Sequence, residues 1–565
     1  MSKYKLFLEY IIIAIWLLLL FKTDSVFSVY LFVGIIAAYC ATYFSTSIDK
    51  SHIAISSLFS LMVTASNYNL YTTDTGILDI IVCILIFMLG IVPFYNISYT
   101  FPHILKKISW KSRKCSISNK MVFWLSFVIM FIIYSFIMFF CRFPGELSFD
   151  SIVQLNQSFD GHYTNHHPVF HTLLIKFIVE IGLKAFGGIN AAIALYSLIQ
   201  IAIISGIFSF AIMTIYQKGK NIKIAVIVWI YFLLMPYNIV YSFTMWKDII
   251  WSSFIVLLAV SIYRTINKIG YSTFLNIVFT FISSVGICIF RNNGFYVIIL
   301  TSIIWAIVLQ KEKKIGILLP VVIAIIISSV LEMYVMDAYK VSKAEIVESL
   351  AIPMQQISLV VHEEAELKPN EKYRLGLILD LDRLKKEYNP YNCNYIKYNI
   401  WDKGNENQIL KNKKSYLKIY LRLALRHPCL YLRAWIDQTK GYWNGGYDYW
   451  ITTNNVFEND LGIRRTVYLP FLGTIFDKYC NAIFNIDLLK PLSAIGLFMW
   501  INILVLFYAL KNRKKDIVLM SIPTISVAFT LVFAAPVYAE FRYIYSLFCL
   551  VPIIISLISY EEELV

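Results

Sequence analysis

With 565 residues, 59% of them hydrophobic and only 15% charged, the chain exceeds the roughly 45–50% apolar share of soluble domains, and its uncharged runs are too many and too long for one globular core. A lipid bilayer must cover them. The net charge of +15 is no nucleic-acid footprint, because Lys and Arg fall in short clusters between apolar runs, as topology signals do.

In chain order, Lys3 and Lys5 precede an apolar run from Leu6 to Phe21 that resembles a signal peptide. No small-residue cleavage site follows, so it is taken as a retained first span. Further spans are predicted near 28–44, 53–70, 77–97 and 121–141, then near 190–216, 223–241, 249–263, 271–290, 294–310, 315–333, 486–510, 517–535 and 542–560. This gives an all-α polytopic membrane protein of about fourteen transmembrane helices. Residues 1–120 form a four-helix module with a basic cytoplasmic loop, 121–333 a membrane core with a first large outer loop at 142–189, 334–485 a mostly helical outer domain, and 486–565 the closing helices. The nine cysteines are scattered, with neither a disulfide framework nor zinc spacing. Richness in Ile, Lys, Asn and Tyr suggests an AT-rich bacterial genome.

The segment 168–187 decides the orientation of everything after it. Thr172, Lys176, Glu180 and Lys184 recur every fourth residue, which predicts a polar stripe opposite Leu173, Phe177 and Ile181 and a helix lying on the membrane surface. If it does not span, the basic loops Lys106–Lys120, Lys218–Lys223, Arg264–Lys268, Lys311–Lys314 and Lys511–Lys515 all face one side. By the positive-inside rule that side is the cytoplasm, so both termini are expected to be cytoplasmic.

The outer side then carries most of the chemistry. Its first loop holds Glu146, Asp150, Asp160, His162, His166, His167 and His171, including four of the chain's eight histidines. Hairpin tips place Lys247, Asp248 and Arg291 there, and Glu540 and Arg542 follow. Each has a plainer reading: Arg291 and Arg542 as residues snorkelling to headgroups, Asp248 as the neutraliser of Lys247 or a helix cap, the histidines as solvated loop or as ligands of a transition metal. The aromatic run Tyr431–Trp450 fits a sugar-stacking groove or an interfacial belt.

The order of Asp150, Gly161, His167, Pro168 and Phe186–Gly187 around an amphipathic helix, with a second outer acid in MWKD at Asp248, resembles the GT-C superfamily. These are membrane glycosyltransferases that use polyprenyl-phosphate-linked sugars, including protein mannosyltransferases and the aminoarabinose transferases of lipid A. The segments PGELSFDS, MWKDI, FRNNG, ESLAIPMQQI and FRYIY are similar, more closely still, to an uncharacterised bacterial family of such proteins. The resemblance covers about residues 120–560 in layout and implies a glycosyltransferase with a polyprenyl-phosphate-linked sugar donor and a cell-envelope glycan, lipid or protein as acceptor. The adjacent acidic pair of protein mannosyltransferases is absent, since Ser151 follows Asp150; a divalent metal ion is therefore an open question.

Such a transfer needs a base near the acceptor hydroxyl and cations around the departing phosphate. Asp150 is the expected base and Asp248 a second catalytic acid; Lys247, Arg291, Arg542, His166, His167 and Glu146 are expected to contact substrate. Two other classes compete. A polymerase or ligase would act on undecaprenyl-linked glycans and require a diphosphate-linked oligosaccharide. A lipid or glycan transporter would place ionisable groups at mid-bilayer depth, whereas the charges here gather at the outer ends of spans.

Overall fold

A computed structural model of the protein describes residues 3–43, 48–69, 77–108, 117–270, 273–445, 455–534 and 538–560. Among them all regular structure is helical, and strand-like pairing is confined to isolated bridges. Each predicted span overlaps a helix, 223–241 falling on two, Ile222–Leu234 and Pro236–Ser242, and 486–510 on Ile495–Lys511. Seven of the described helices are long and apolar enough to cross a membrane, or eight if the pair Ile222–Leu234 and Pro236–Ser242 counts as one. About fourteen full spans goes beyond these lengths. Phe27–Ala41, Phe274–Ile289, Gly294–Val308 and Ile495–Lys511 are apolar but short, and a helix of 15 residues such as the first of them rises only about 22 Å against about 30 Å of hydrocarbon.

The bent pair has a local cause. Pro236 lacks a backbone N–H and disfavours helical dihedrals at the residue before it. Met235 accordingly takes φ −63° and ψ 122°, and the chain turns by 62°. The protein is thus a helical membrane protein with an irregular backbone near one end of its bundle.

Helix Lys247–Ile266 occupies the centre. Its most apolar stretch is 83% buried within the protein, against 28% for Ile77–Leu105 and Asn119–Cys141. Those peripheral helices leave Leu125, Ile132 and Phe136 exposed, a surface that only hydrocarbon covers without cost. The four N-terminal helices pack on one another and dock on Ile495–Lys511 through Phe59 and Phe94 against Trp500. The basic loop's residues 109–116 lie outside the described residues.

The decisive segment forms helix Val169–Phe186, ended by Gly187 at φ 72°, and it is not among the helices fit to span. Its faces differ from expectation. Thr172 is buried and accepts a hydrogen bond from Gln154, while Glu180 and Lys184 stay exposed beside exposed Phe177 and Ile181. The polar and apolar rows therefore run side by side, because residues four and three apart are offset by only tens of degrees on a helix. The buried side is Ile175, Ile178, Val179 and Gly182. A Cβ on Gly182 would sit 2.6 Å from Ala192 Cα, so glycine lets this helix lie against Ile189–Gly219.

The polar stretch 334–485 builds small cores of its own, one around Val347, Leu379 and Ile396 and another around Val360, Leu375 and Leu423. The predicted break near Pro428 separates helices Lys413–Arg426 and Pro428–Trp443. Its last helix, Pro470–Asn485, packs instead on Asn119–Cys141.

Candidate functional site

The first loop is fastened to the rest of the chain before it reaches the charged residues. Glu146 exchanges backbone hydrogen bonds with Phe243 and Met245, so the loop runs beside the segment that leads into helix Lys247–Ile266. The Glu146 side chain is fully buried and pairs with Arg465 and, at 3.7 Å, with Arg142. It holds loop to loop and does not join the cluster formed by the other acids.

Two residues later Ser148 begins helix Phe149–Asp160, which puts Asp150 in the first turn, facing the helix that starts at Lys247. Ser151 bonds the Met245 carbonyl at 2.7 Å and Trp246 donates to Ser148, pinning the two helix starts together. Arg542 enters from the short turn Phe541–Ile544. Side chains from distant parts of the sequence thereby meet: Arg542 Nη1 donates to Asp150 Oδ2 at 2.9 Å, Lys247 Nζ lies 3.5 Å from the same oxygen, Arg542 Nε lies 3.9 Å from Asp248, and Arg291 lies 2.8 Å from Asp248. Lys247 also donates to His167 Nδ1 at 3.2 Å.

The cluster is graded in exposure. Asp248 is fully buried, Arg542 nearly so, and Asp150 keeps 24% of its side-chain surface. Aromatic rings wall in the cations: Arg542 lies over Trp246, and Arg291 over Trp251 and Tyr543 at 4.9 and 4.3 Å, where ring quadrupoles attract cations. Both Asp248 oxygens and Arg542 Nε make ion pairs without an aligned hydrogen bond among the described residues. Buried charge satisfied only in part costs stability, and that is the usual mark of a site arranged for something other than stability.

Burial alone would raise the Asp150 carboxyl, but Arg542 and Lys247 hold it well below the usual carboxylate range. Asp150 is therefore ionised at any physiological pH. Burial, and then Lys247, push the His167 imidazole well below its ordinary 6.5; accepting from Lys247 at Nδ1, it carries its proton at Nε2. A group whose folded pKa is depressed supports stability above its unfolded value, and that support is lost as pH falls. Acidifying below about 6.5 is thus expected to lower the melting temperature, and His167→Gln to remove that component; equal slopes in the two proteins would refute it.

The other histidines go elsewhere. His166 faces Glu345 and Glu348 at 3.5 and 3.4 Å, and His171 is buried between Gln154 and Tyr196. Among the described residues no three His, Cys, Asp or Glu side chains gather as a metal site. In the aromatic run, Trp435 and Trp443 pack against the bundle, and residues 446–450 lie outside the described residues. Three members of the cluster went unassigned in the sequence: Glu540, which pairs with Arg542, and the flanking rings of Trp246 and Tyr543. All three stand within two residues of Lys247, Asp248 or Arg542, which was the available signal.

No curated protein and no solved structure matches the chain. A family model does match residues 155–563, a stretch that contains Asp248, Arg291 and Arg542 and begins just after Asp150. The chain belongs to that family, described as a Family of unknown function (DUF6020).

Proposed function

We propose that the protein is a GT-C-like glycosyltransferase of the plasma membrane, with both termini cytoplasmic and the Asp150 cluster at the outer face. It moves a sugar from a polyprenyl-phosphate donor to a hydroxyl of a cell-envelope acceptor. The observation that carries the reading is a single partly exposed carboxylate, Asp150, held by two cations that belong to different helices.

Lys247 and Arg542 can exchange one anion for another. When the donor phosphate arrives, they turn to its oxygens as charge-assisted donors, and the carboxylate loses the partners that kept it acidic. Burial then raises its proton affinity. The acceptor oxygen attacks the anomeric carbon, the bond from that carbon to the phosphate oxygen breaks, and the acceptor proton passes to Asp150. Polyprenyl phosphate leaves with its new negative charge facing the two cations. Fully buried Asp248, itself paired with Arg291, fixes the position of Arg542.

Reconstituted protein supplied with envelope extract as acceptor distinguishes the reactions. Consumption of a polyprenyl monophosphate-linked hexose with release of polyprenyl phosphate is the expected result. Consumption of a diphosphate-linked oligosaccharide alone would replace this reading with a polymerase or ligase.

A further inference from the structure

Away from the charged cluster, a cavity of about 380 Å³ opens where the N-terminal helices meet the polar domain. It is formed by the end of helix Lys50–Ser66, the loop at Tyr388–Tyr391 and helix Pro428–Trp443. Its size falls within the about 300–1,000 Å³ of small-molecule sites. The residues on its N-terminal side, among them Tyr68, precede the family-matched stretch, while His362, Tyr388, Tyr391 and the residues of helix Pro428–Trp443 lie within it.

The walls combine rings with hydrogen-bonding groups. Tyr391 is 47% exposed and lies under Lys440 at 4.9 Å. The Tyr388 ring lies tilted against His362 at 5.0 Å, and its hydroxyl is buried without a hydrogen-bond partner among the described residues. Tyr68 donates to Asp437 at 2.8 Å and accepts from Arg433 at 3.2 Å. His362 donates from Nδ1 to the Lys385 carbonyl, which leaves its second nitrogen an acceptor when neutral.

The charge balance selects the ligand class. Arg433 pairs with Glu363 at 3.0 Å and Lys440 with Asp437 at 2.9 Å, so each cation is already neutralised by a carboxylate and a phosphate finds no surplus positive charge. An uncharged ligand rich in hydroxyls, with C–H faces to lay on tyrosine rings, fits both the rings and the paired polar groups. An orphaned buried hydroxyl costs free energy until a ligand satisfies it. From these contacts we infer that the cavity is a saccharide-binding site, separate from the Asp150 cluster and taking neutral pyranose units.

The helix that lines it also reaches the cluster. Tyr442, two residues beyond Lys440, accepts from the Glu540 backbone N–H at 3.4 Å, and Glu540 pairs with Arg542. The cavity's Asp437 and the cluster-contacting Tyr442 are thus about one and a half turns apart on helix Pro428–Trp443. Binding itself does not depend on the transfer reaction.

The test is saturation-transfer NMR on the full chain in lipid nanodiscs free of sugar detergents, with methyl glycosides of glucose, galactose, mannose and N-acetylglucosamine. At least one glycoside is expected to bind. Tyr391→Ala should weaken it about tenfold and Tyr388→Phe about threefold or more, with unchanged melting temperatures because Tyr391 is largely exposed and Tyr388→Phe keeps the ring that packs against the Val347 core. Asp150→Asn should leave binding intact even if it abolishes transfer, so the two readings fail separately. Absence of any glycoside signal, indifference to both tyrosine variants, loss of the signal in Asp150→Asn, or displacement by inorganic phosphate would each overturn the inference.

Discussion

Asp150→Asn is expected to cut sugar transfer by about 10²–10⁴-fold, the usual contribution of a positioned general base, while leaving the protein folded. Asparagine keeps the shape of the side chain and still accepts from Arg542 Nη1, which Glu540 and Asp248 continue to neutralise. It cannot take the acceptor's proton. Because Lys247 and Arg542 would then carry more uncompensated charge, the donor's KM should stay the same or fall, placing the loss in kcat. Steady-state kinetics with a polyprenyl-phosphate-linked sugar decides the matter. A variant that keeps kcat within about threefold would remove Asp150 from the chemistry.

The second large effect concerns stability. Asp248 has no exposed surface and lies 2.8 Å from Arg291, so Asp248→Ala strands a buried guanidinium. Breaking a buried pair from one side typically costs about 3–5 kcal/mol, enough to deplete folded protein and depress the melting temperature in detergent. The rings of Trp251 and Tyr543 around Arg291 recover part of the loss but supply no counter-charge. Replacing both partners with apolar residues, Asp248→Leu with Arg291→Met, removes the stranded charge and is expected to restore the melting temperature. Transfer should not return with it, because Arg542 has lost the carboxylate that positions it. An Asp248→Ala protein that melts like the parent would show that the pair carries no such burden; a double variant with full activity would confine Asp248 to a structural role.

These two residues differ in how far their setting could be foreseen. Asp150 stands a few residues past an apolar run and ahead of an amphipathic one, so its place at a membrane exit follows from hydropathy alone. Asp248 reads equally well as the counter-charge of adjacent Lys247. In the fold it pairs with Arg291, just beyond the next helix, while Lys247 pairs with Asp150. Neighbours along a helix point in different directions, about 100° apart, so adjacency misassigned the partner. Glu146 shows the converse: an acid in a histidine-rich loop suggested substrate contact, yet Arg142, four residues before it, and Arg465, from a distant segment, enclose it.

By itself the amino-acid sequence determined that the chain is helical and membrane-embedded, where its apolar helices fall, and that 168–187 carries more charge than its apolar spans. Each of these depends on composition and periodicity over a dozen or more consecutive residues, and such local patterns survive without knowledge of the rest of the chain. Tertiary structure alone decided which helices are long enough to span, that Asp150, Asp248, Lys247, Arg291 and Arg542 share one network, and that the N-terminal helices close a cavity against the polar domain. Those features join residues up to 392 positions apart. Charge pairing of that kind acts over a few ångströms of space and leaves no periodic trace along the chain.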